Sequence, residues 1–133
     1  MTKVYQSREQ ERAKHAWQFV QEVKSGKRDA TRFGIESKRM PVRIITSGLG
    51  PALAFLAAKK YAPPLQEALN DWITKNCEWA SYSNETSAGS KTLIERIMEE
   101  DSEFLRLATD ECMAYLQWLV RFCDSEGLIK EAD

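Results

Sequence analysis

The sequence predicts an all-α protein, organised as a single compact bundle of five to six helices with a kinked central helical hairpin. Apolar residues recur at helical spacing along almost the whole chain, and no segment alternates apolar and polar residues as a half-buried strand does. Proline and glycine fall between these segments, where they end one helix or begin the next. With 133 residues, 43% of them hydrophobic, the chain can bury one real core, so we expect one domain over residues 1–133.

The first predicted helix covers residues 6–25 and ends at Gly26. Its apolar residues follow the i, i+3, i+4, i+7 spacing of a buried stripe. That stripe consists of Ala13, Ala16, Trp17, Val20 and Val23, with Phe19 beside it. His15, the only histidine, falls opposite the stripe, and no partner group is placed beside it in the sequence. We therefore expect His15 to be solvated rather than to act as a metal ligand or a general base.

Residues 40–60 form the central hairpin of the predicted bundle. No charged side chain occurs between Arg43 and Lys59, so the large apolar residues of this run must lie in the core or in an interface. A membrane span would need about 20 predominantly apolar residues, and this run is shorter and interrupted by polar residues, glycine and proline. We therefore interpret it as a buried pair of helices.

The boundaries of these helices are predicted from proline, glycine and capping residues. Asp29 is a plausible N-cap of a short helix whose core contacts are Phe33 and Met40. Pro41 is predicted to end that helix and to open the next one, over residues 42–47.

Residues 48–51, Gly-Leu-Gly-Pro, are predicted to kink or break the run before a helix over residues 52–60. Free amides at this break could receive a phosphate. The phosphate-loop spacing is missing, however, so a packing junction is favoured.

The next helix is predicted to end near residue 80, and a mobile loop follows over residues 81–90. Thr92 and Glu95 resemble a capping box at the start of another helix, although Ser90 is an equally fair cap. An acidic run follows that helix, formed by Glu99, Glu100, Asp101 and Glu103. Such a run at a helix boundary lacks the convergent geometry of a magnesium site, so we expect a solvated helix end and no metal.

The last predicted helix, residues 102–124, has the most extensive apolar surface. Its main stripe consists of Leu105, Ala108, Cys112, Tyr115, Leu116, Leu119 and Cys123, and a second strip of Phe104, Leu107, Trp118 and Phe122. The three cysteines are odd in number and form no CxxC pair, which is typical of ordinary intracellular thiols. Cys112 and Cys123 fall on the core stripe, where thiols are inert, so a hydrolase that uses a cysteine and His15 is disfavoured.

The near-zero net charge conceals an uneven distribution along the chain. Residues 1–60 carry a net charge of +8 and residues 61–133 a net charge of −9. Either the packed helices mix these charges in space, or the protein has a basic face for a polyanion and an acidic face for something basic, including another copy of itself. A contact between unlike faces does not need to close, so copies could stack in a row.

Several groups of residues, in order along the chain, resemble the small all-helical subunit of the type III-B CRISPR RNA-guided effector, the Cmr complex. These groups are Gln6 with Ala13, Ala16, Trp17 and Val20; Met40, Pro41, Ile44, Gly48, Leu49, Leu53, Ala54, Phe55 and Leu56; and Glu111, Tyr115, Leu116, Trp118, Leu119, Arg121 and Phe122. They cover nearly the whole length. Gly50 and Pro51 depart from the family pattern, which continues there with ordinary helix formers.

The resemblance implies a non-catalytic building block in cytoplasmic antiviral defence, with no cofactor, no small-molecule substrate and no membrane contact. In such complexes several small subunits stack beside the guide-carrying subunits and line the channel that receives the target RNA. The implied partners are the other Cmr subunits, copies of the chain itself, and the backbones of guide and target RNA. The contacts are with phosphates because base pairing with the guide reads the sequence.

Candidate RNA contacts come from the clustering of cations near the central hairpin. They are Lys24, Lys27, Arg28, Lys38, Arg39, Arg43, Lys59 and Lys60. About half of them are expected to be solubilising surface cations only. A stand-alone helical DNA-binding or adaptor protein is the alternative, although no helix-turn-helix pattern with an exposed recognition face is present.

Overall fold

Helices form all the regular structure in the part of the chain that the computed structural model describes, residues 6–30, 32–60, 62–81 and 91–129. The helices are α1 Arg8–Lys24, α2 Phe33–Ser47, α3 Leu49–Lys59, α4 Pro63–Asn76, the single turn α5 Glu78–Ser81, α6 Leu93–Glu99 and α7 Ser102–Ser125. The all-α prediction is confirmed. No helix among these residues is long and apolar enough to cross a membrane.

The central helix is α7, which packs against α1, α2 and α4. Ala108, Cys112, Leu116, Leu119 and Cys123 of α7 are fully buried. Residues further along α1 contact residues further along α7, so these two helices run in the same direction. They join Arg12 to Glu111, Trp17 to Phe122 and Gln21 to Glu126.

Two apolar stripes predicted from spacing are shifted in the structure. In α1, Ala16, Val20 and Val23 are buried, but Trp17 is 42% exposed and Phe19 takes its place in the core. In α7, Phe104 is buried and its neighbour Leu105 is exposed. The predicted stripes were wrong at Trp17 and Leu105 because each helix contacts several neighbours, and the sequence pattern does not show which side meets them.

The helix α2 runs through Pro41, so the predicted boundary at that residue is wrong. Proline lacks an amide hydrogen and costs an interior helix one hydrogen bond. The burial of Phe33, Met40 and Ile44 on one face of α2 offsets that cost. The predicted N-cap is wrong as well, because the residue before α2 is Arg32, in a left-handed conformation and without a side-chain capping bond.

Gly48 alone separates α2 from α3 and makes the predicted break in the central hairpin. Its φ of 93° lies in a region that residues with a side chain rarely adopt, and its backbone ends one helix and starts the next. Ile44, Leu49, Leu53 and Leu56 from the uncharged run are buried. Ile45 and Phe55 are exposed, so part of the run lies on the surface.

The second half of the chain follows the sequence prediction more closely. Thr92 and Glu95 form the predicted capping box at the start of α6. The Asp101 side chain accepts a hydrogen bond of 2.9 Å from the amide of Phe104 and caps α7, which is a structural role for the acidic run. The predicted loop over residues 81–90 lies outside the described residues, apart from Ser81 at the end of α5.

Candidate nucleic-acid interface

The eight predicted cations lie in three groups. Lys24, Lys27 and Arg28 lie at the end of α1 and in the turn after it, Lys38, Arg39 and Arg43 on α2, and Lys59 and Lys60 at the end of α3. Arg28 and Arg43 are half-buried, and the other six side chains are exposed.

The hairpin joins the α2 and α3 groups. The Cζ of Arg43 lies 4.4 Å from the ring centroid of Phe55, so α2 and α3 are in side-by-side contact five residues before Gly48 and seven residues after it. One turn further from Gly48, α2 carries Arg39 and α3 carries Lys59. The hairpin thus presents cations from two adjacent helices.

Glu36 lies at the centre of the α2 group. Its side chain is fully buried, pairs with Arg43, and accepts a hydrogen bond of 2.8 Å from Arg32. Arg39 approaches the same carboxylate at 3.5 Å and keeps its side chain 56% exposed. Burial acts to raise the pKa of Glu36, but the hydrogen bonds from Arg43 and Arg32 outweigh it and lower that pKa below its usual value. Arg43 is therefore a structural cation, whereas Arg39 reaches the solvent.

Two cations of the first group are also held by carboxylates. Lys24 pairs with Glu126 at 2.7 Å. Arg28 pairs with Glu67 at 2.8 Å, and its Cζ lies 5.1 Å from the ring centroid of Phe19. The Lys24 pair ties the end of α1 to the end of α7, and the Arg28 pair ties the turn after α1 to α4.

Lys27, Lys59 and Lys60 form no ion pair with any described residue. Together with Arg39, they are the predicted cations with the most accessible charge. Lys60 also ends α3 in a left-handed conformation, with φ of 54°.

The two oppositely charged parts of the sequence are mixed in space. Cations from the first 60 residues pair with carboxylates from the rest of the chain, as in Arg12 with Glu111, Lys24 with Glu126 and Arg28 with Glu67. Of the two arrangements that the sequence left open, the structure favours the mixed one. The charge division along the sequence therefore does not produce one wholly basic and one wholly acidic face.

His15 is not solvated, so the prediction for this residue is wrong. Its Nδ1 lies 2.7 Å from the hydroxyl of Tyr115, and its Nε2 lies 2.7 Å from Asp71 Oδ2. Burial acts to raise the pKa of Asp71, but the hydrogen bonds from His15 and Lys75 outweigh it and lower that pKa. Because His15 of α1 bonds to one partner on α4 and one on α7, it ties three helices together, and neither ring nitrogen is left for a substrate.

A polar pocket of about 470 Å³ opens beside His15, between α1, α4 and the start of α6. It is lined by Phe19, Glu22, Arg28, Glu67, Asp71 and Lys75, among others. Arg28 pairs there with Glu67, and Lys75 pairs with Asp71 at 3.0 Å. These internal ion pairs balance the charge of the pocket, which does not favour an anionic ligand.

A second buried carboxylate, Glu111, joins α1, α4 and α7. It accepts hydrogen bonds from the Arg12 guanidinium and from Trp72 Nε1, at 3.0 Å in the case of Trp72. Burial acts to raise the pKa of Glu111, but these two donors outweigh it and lower that pKa. The burial of Glu36 and Glu111 was not predicted from the sequence. A signal existed for Glu36, since arginines lie four residues before it and three and seven residues after it.

The thiols carry no sign of activation. Cys77, Cys112 and Cys123 are all buried and unpaired. Burial raises the pKa of Cys77 and of Cys123 to about 12, and raises that of Cys112 further. Among the described residues, no group of three or more histidine, cysteine or acidic side chains could hold a metal ion.

Comparison with known proteins adds an identification that the geometry alone does not supply. No curated protein matches the chain. The sequence model of one family, described as CRISPR-associated protein (Cas_Cmr5), matches residues 8–126, which include the seven helices of the described residues and all eight predicted cations. Family membership implies association with other subunits of the Cmr complex. The chain belongs to the Cas_Cmr5 family, the small subunits of Cmr (type III-B) CRISPR complexes.

Proposed function

We propose that the chain is a non-catalytic structural subunit of a cytoplasmic type III-B effector in antiviral defence. It contacts the backbones of guide or target RNA through the α2–α3 hairpin and stacks in several copies. The observation that carries the RNA contact is the position of Arg39, Lys59 and Lys60, exposed at neighbouring turns of two packed helices.

Some of the eight predicted cations already form short ion pairs, and the others are better candidates for contacts with RNA phosphates. Lys24, Arg28 and Arg43 already hold carboxylates at short distance, and a phosphate would have to compete with these bonds. Arg39, Lys59 and Lys60 are free of such short pairs with described residues, and Lys27 adds one more cation at the α1–α2 turn. We name Arg39, Lys59 and Lys60 the hairpin cations. They suit sequence-independent binding, because neutralising a phosphate releases condensed counterions whatever the base.

The state of the nucleophilic groups supports a non-catalytic role. The buried thiols have raised pKa values and stay protonated at neutral pH. Both nitrogens of His15 are engaged with Tyr115 and Asp71, so this imidazole is placed for structure rather than for proton transfer to a substrate.

The test replaces the hairpin cations with alanine: Arg39→Ala, Lys59→Ala and Lys60→Ala together. Capture of target RNA by the reconstituted complex should weaken, and the slope of log affinity against log salt should become less steep by about 2, since each lost phosphate contact removes about 0.7–0.9. Arg43 is left in place because its loss would disturb the Glu36 cluster. The circular dichroism of the variant should remain that of the wild type.

The control is Lys14→Ala with Arg121→Ala, which removes two exposed cations outside the predicted set, one charge fewer than the triple variant. It should leave RNA capture unchanged. Unaltered capture by the triple variant, or an equal loss in the control, would contradict the assignment. Binding to one DNA sequence with little salt dependence would instead support the stand-alone DNA-binding alternative.

A further inference from the structure

The outer faces of α2 and α6 carry the most exposed large apolar side chains among the described residues. Ile45 is 75% exposed, Met98 is 74% exposed and Val42 is 66% exposed. Isolated exposed apolar residues are common on protein surfaces, but these three lie among charges of opposite sign on two different helices.

The α2 face consists of Lys38, Val42 and Ile45. These residues follow the i, i+4, i+7 spacing, so they form one stripe along the helix, and all three are exposed. The stripe differs from that of Arg39 and Arg43, which approach Glu36. The α2 face therefore has a cationic end and an apolar end, and Arg39 of the hairpin cations lies on the neighbouring stripe of the same helix.

The α6 face consists of Glu95, Met98 and Glu99. All three side chains are exposed, and one apolar side chain lies between two carboxylates. Glu95 caps the helix through Thr92, and Glu99 pairs with Lys91, so both carboxylates have fixed positions. This face presents an apolar group with an acidic rim.

The two faces are complementary to each other and not to themselves. Two α2 faces together would bring Lys38 against Lys38, and two α6 faces would bring carboxylates against carboxylates. An α2 face against an α6 face buries Met98 beside Val42 and Ile45 and brings Lys38 to the carboxylates. The helix α3 packs against both α2 and α6, so one packed unit carries both faces.

We propose that the α6 face of one copy binds the α2 face of the next copy. This inference rests on the stacking in the proposed function and names the surfaces that make it. The contact joins unlike faces, so it leaves one face of each kind unused at the ends and builds an open row. Only three large apolar side chains lie at the centre of the contact, so it is weak between free chains. In the assembled complex the copies are held close together, and the higher effective concentration strengthens the contact.

The test uses two variants of the full chain, Ile45→Glu and Met98→Glu. Each places a carboxylate at the centre of one face and leaves the other face intact. In sedimentation velocity, the wild-type chain should associate as its concentration rises, and each variant alone should lose at least tenfold in association constant. Because both positions are exposed, the circular dichroism of each variant should match that of the wild type.

A mixture of the two variants distinguishes this contact from any symmetric one. The Ile45→Glu chain retains the α6 face and the Met98→Glu chain retains the α2 face, so the mixture should form dimers and stop there. Gln117→Glu adds the same charge at an exposed position of α7 and should associate like the wild type. Normal association of either variant alone, or a mixture that forms no dimer, would overturn the inference.

The assembled complex separates this inference from the proposed function. Native mass spectrometry should count several copies per complex for the wild type and fewer for Ile45→Glu and Met98→Glu. An unchanged count in both variants would overturn the assigned surfaces while stacking itself stands. A single copy in the wild-type complex would overturn both the stacking and this inference.

Discussion

Glu36 shows why a charged residue in an arginine-rich helix can belong to the core. Its carboxylate is fully buried, and Arg32 and Arg43 satisfy both of its oxygens. A buried carboxylate needs such partners because burial without them would cost several kcal/mol. The residue thereby sets which arginines of α2 are structural and which one, Arg39, extends towards the solvent.

The substitution Glu36→Gln should lower the free energy of unfolding by about 1–3 kcal/mol, because it removes the charge that two guanidinium groups hydrogen-bond. Urea denaturation at pH 7 would measure the loss. Glu103→Gln is the matched control, since Glu103 pairs with Arg106 on the surface and both side chains are exposed. A variant at position 36 as stable as this control would show that the cluster does not stabilise α2.

His15 marks where residue-level prediction from the sequence fails, and Arg43 has partners that its sequence neighbours did not indicate. The partners of His15 lie 56 and 100 residues away in the chain, on α4 and α7. Helical spacing shows which side of α1 carries His15, but it does not show which helix packs there. Arg43 was a candidate RNA contact because of its neighbours in sequence, and the structure shows that Glu36 and Phe55 hold it.

At the scale of elements, locally encoded features were predictable and those that depend on packing were not. The capping box of Thr92 and Glu95 and the extent of α7 follow from neighbouring residues, and both predictions are confirmed. Pro41 was predicted to end a helix from its local preference, yet α2 continues because Phe33, Met40 and Ile44 bury one continuous face. Gly48 supplies the break instead, where a positive φ is needed.

The close approach of the C-terminal segment to α2 makes Gly34 sensitive to substitution. A Cβ at Gly34 would lie 2.1 Å from the carbonyl oxygen of Leu128, a backbone atom that cannot rotate away. Gly34→Ala should therefore lower the free energy of unfolding by about 1–3 kcal/mol and displace the segment after α7. Thermal or urea denaturation would measure the first effect, and limited proteolysis near the C-terminus the second.

Gly50→Ala is the control for this substitution within the same hairpin. A Cβ at Gly50 would meet Ile97 Cγ2 at 3.9 Å, an ordinary contact, and alanine favours a helix by up to about 1 kcal/mol over glycine. This variant should be as stable as the wild type or slightly more stable. Equal effects at positions 34 and 50 would contradict the role assigned to the contact with Leu128.

At the scale of the whole molecule, composition and periodicity predicted the all-α class, and the resemblance in residue order agrees with the family match. The arrangement of charge could not be predicted in the same way. Net charges of +8 and −9 in the two parts of the sequence suggested two faces, but ion pairs such as Arg28 with Glu67 mix them. Which cations remain accessible depends on the packing of distant helices, so the sequence identified a pool of candidates, and the ion pairs support our proposal of which of them contact RNA.

The same ion pairs predict how the stability of the whole protein depends on pH. Glu36, Asp71, Glu111 and Glu126 all have pKa values lowered by hydrogen bonds to basic or polar partners. The unfolded chain has the ordinary values of 4.5 for glutamate and 3.8 for aspartate, so near those values it binds more protons than the folded chain. These carboxylates therefore stabilise the fold fully above about pH 5, and their contribution is lost as the pH falls through the lower folded pKa values.

We expect the free energy of unfolding in urea to be nearly constant between about pH 5.5 and pH 7 and to fall steeply below about pH 4.5. Glu36→Gln should show a smaller decrease over the acidic range than the wild type, because one of the carboxylates with a lowered pKa is gone. The stabilities of the two proteins should accordingly converge as the pH falls. A wild-type stability unchanged down to about pH 3, or parallel pH curves for the two proteins, would show that these ion pairs do not control the acid stability of the bundle.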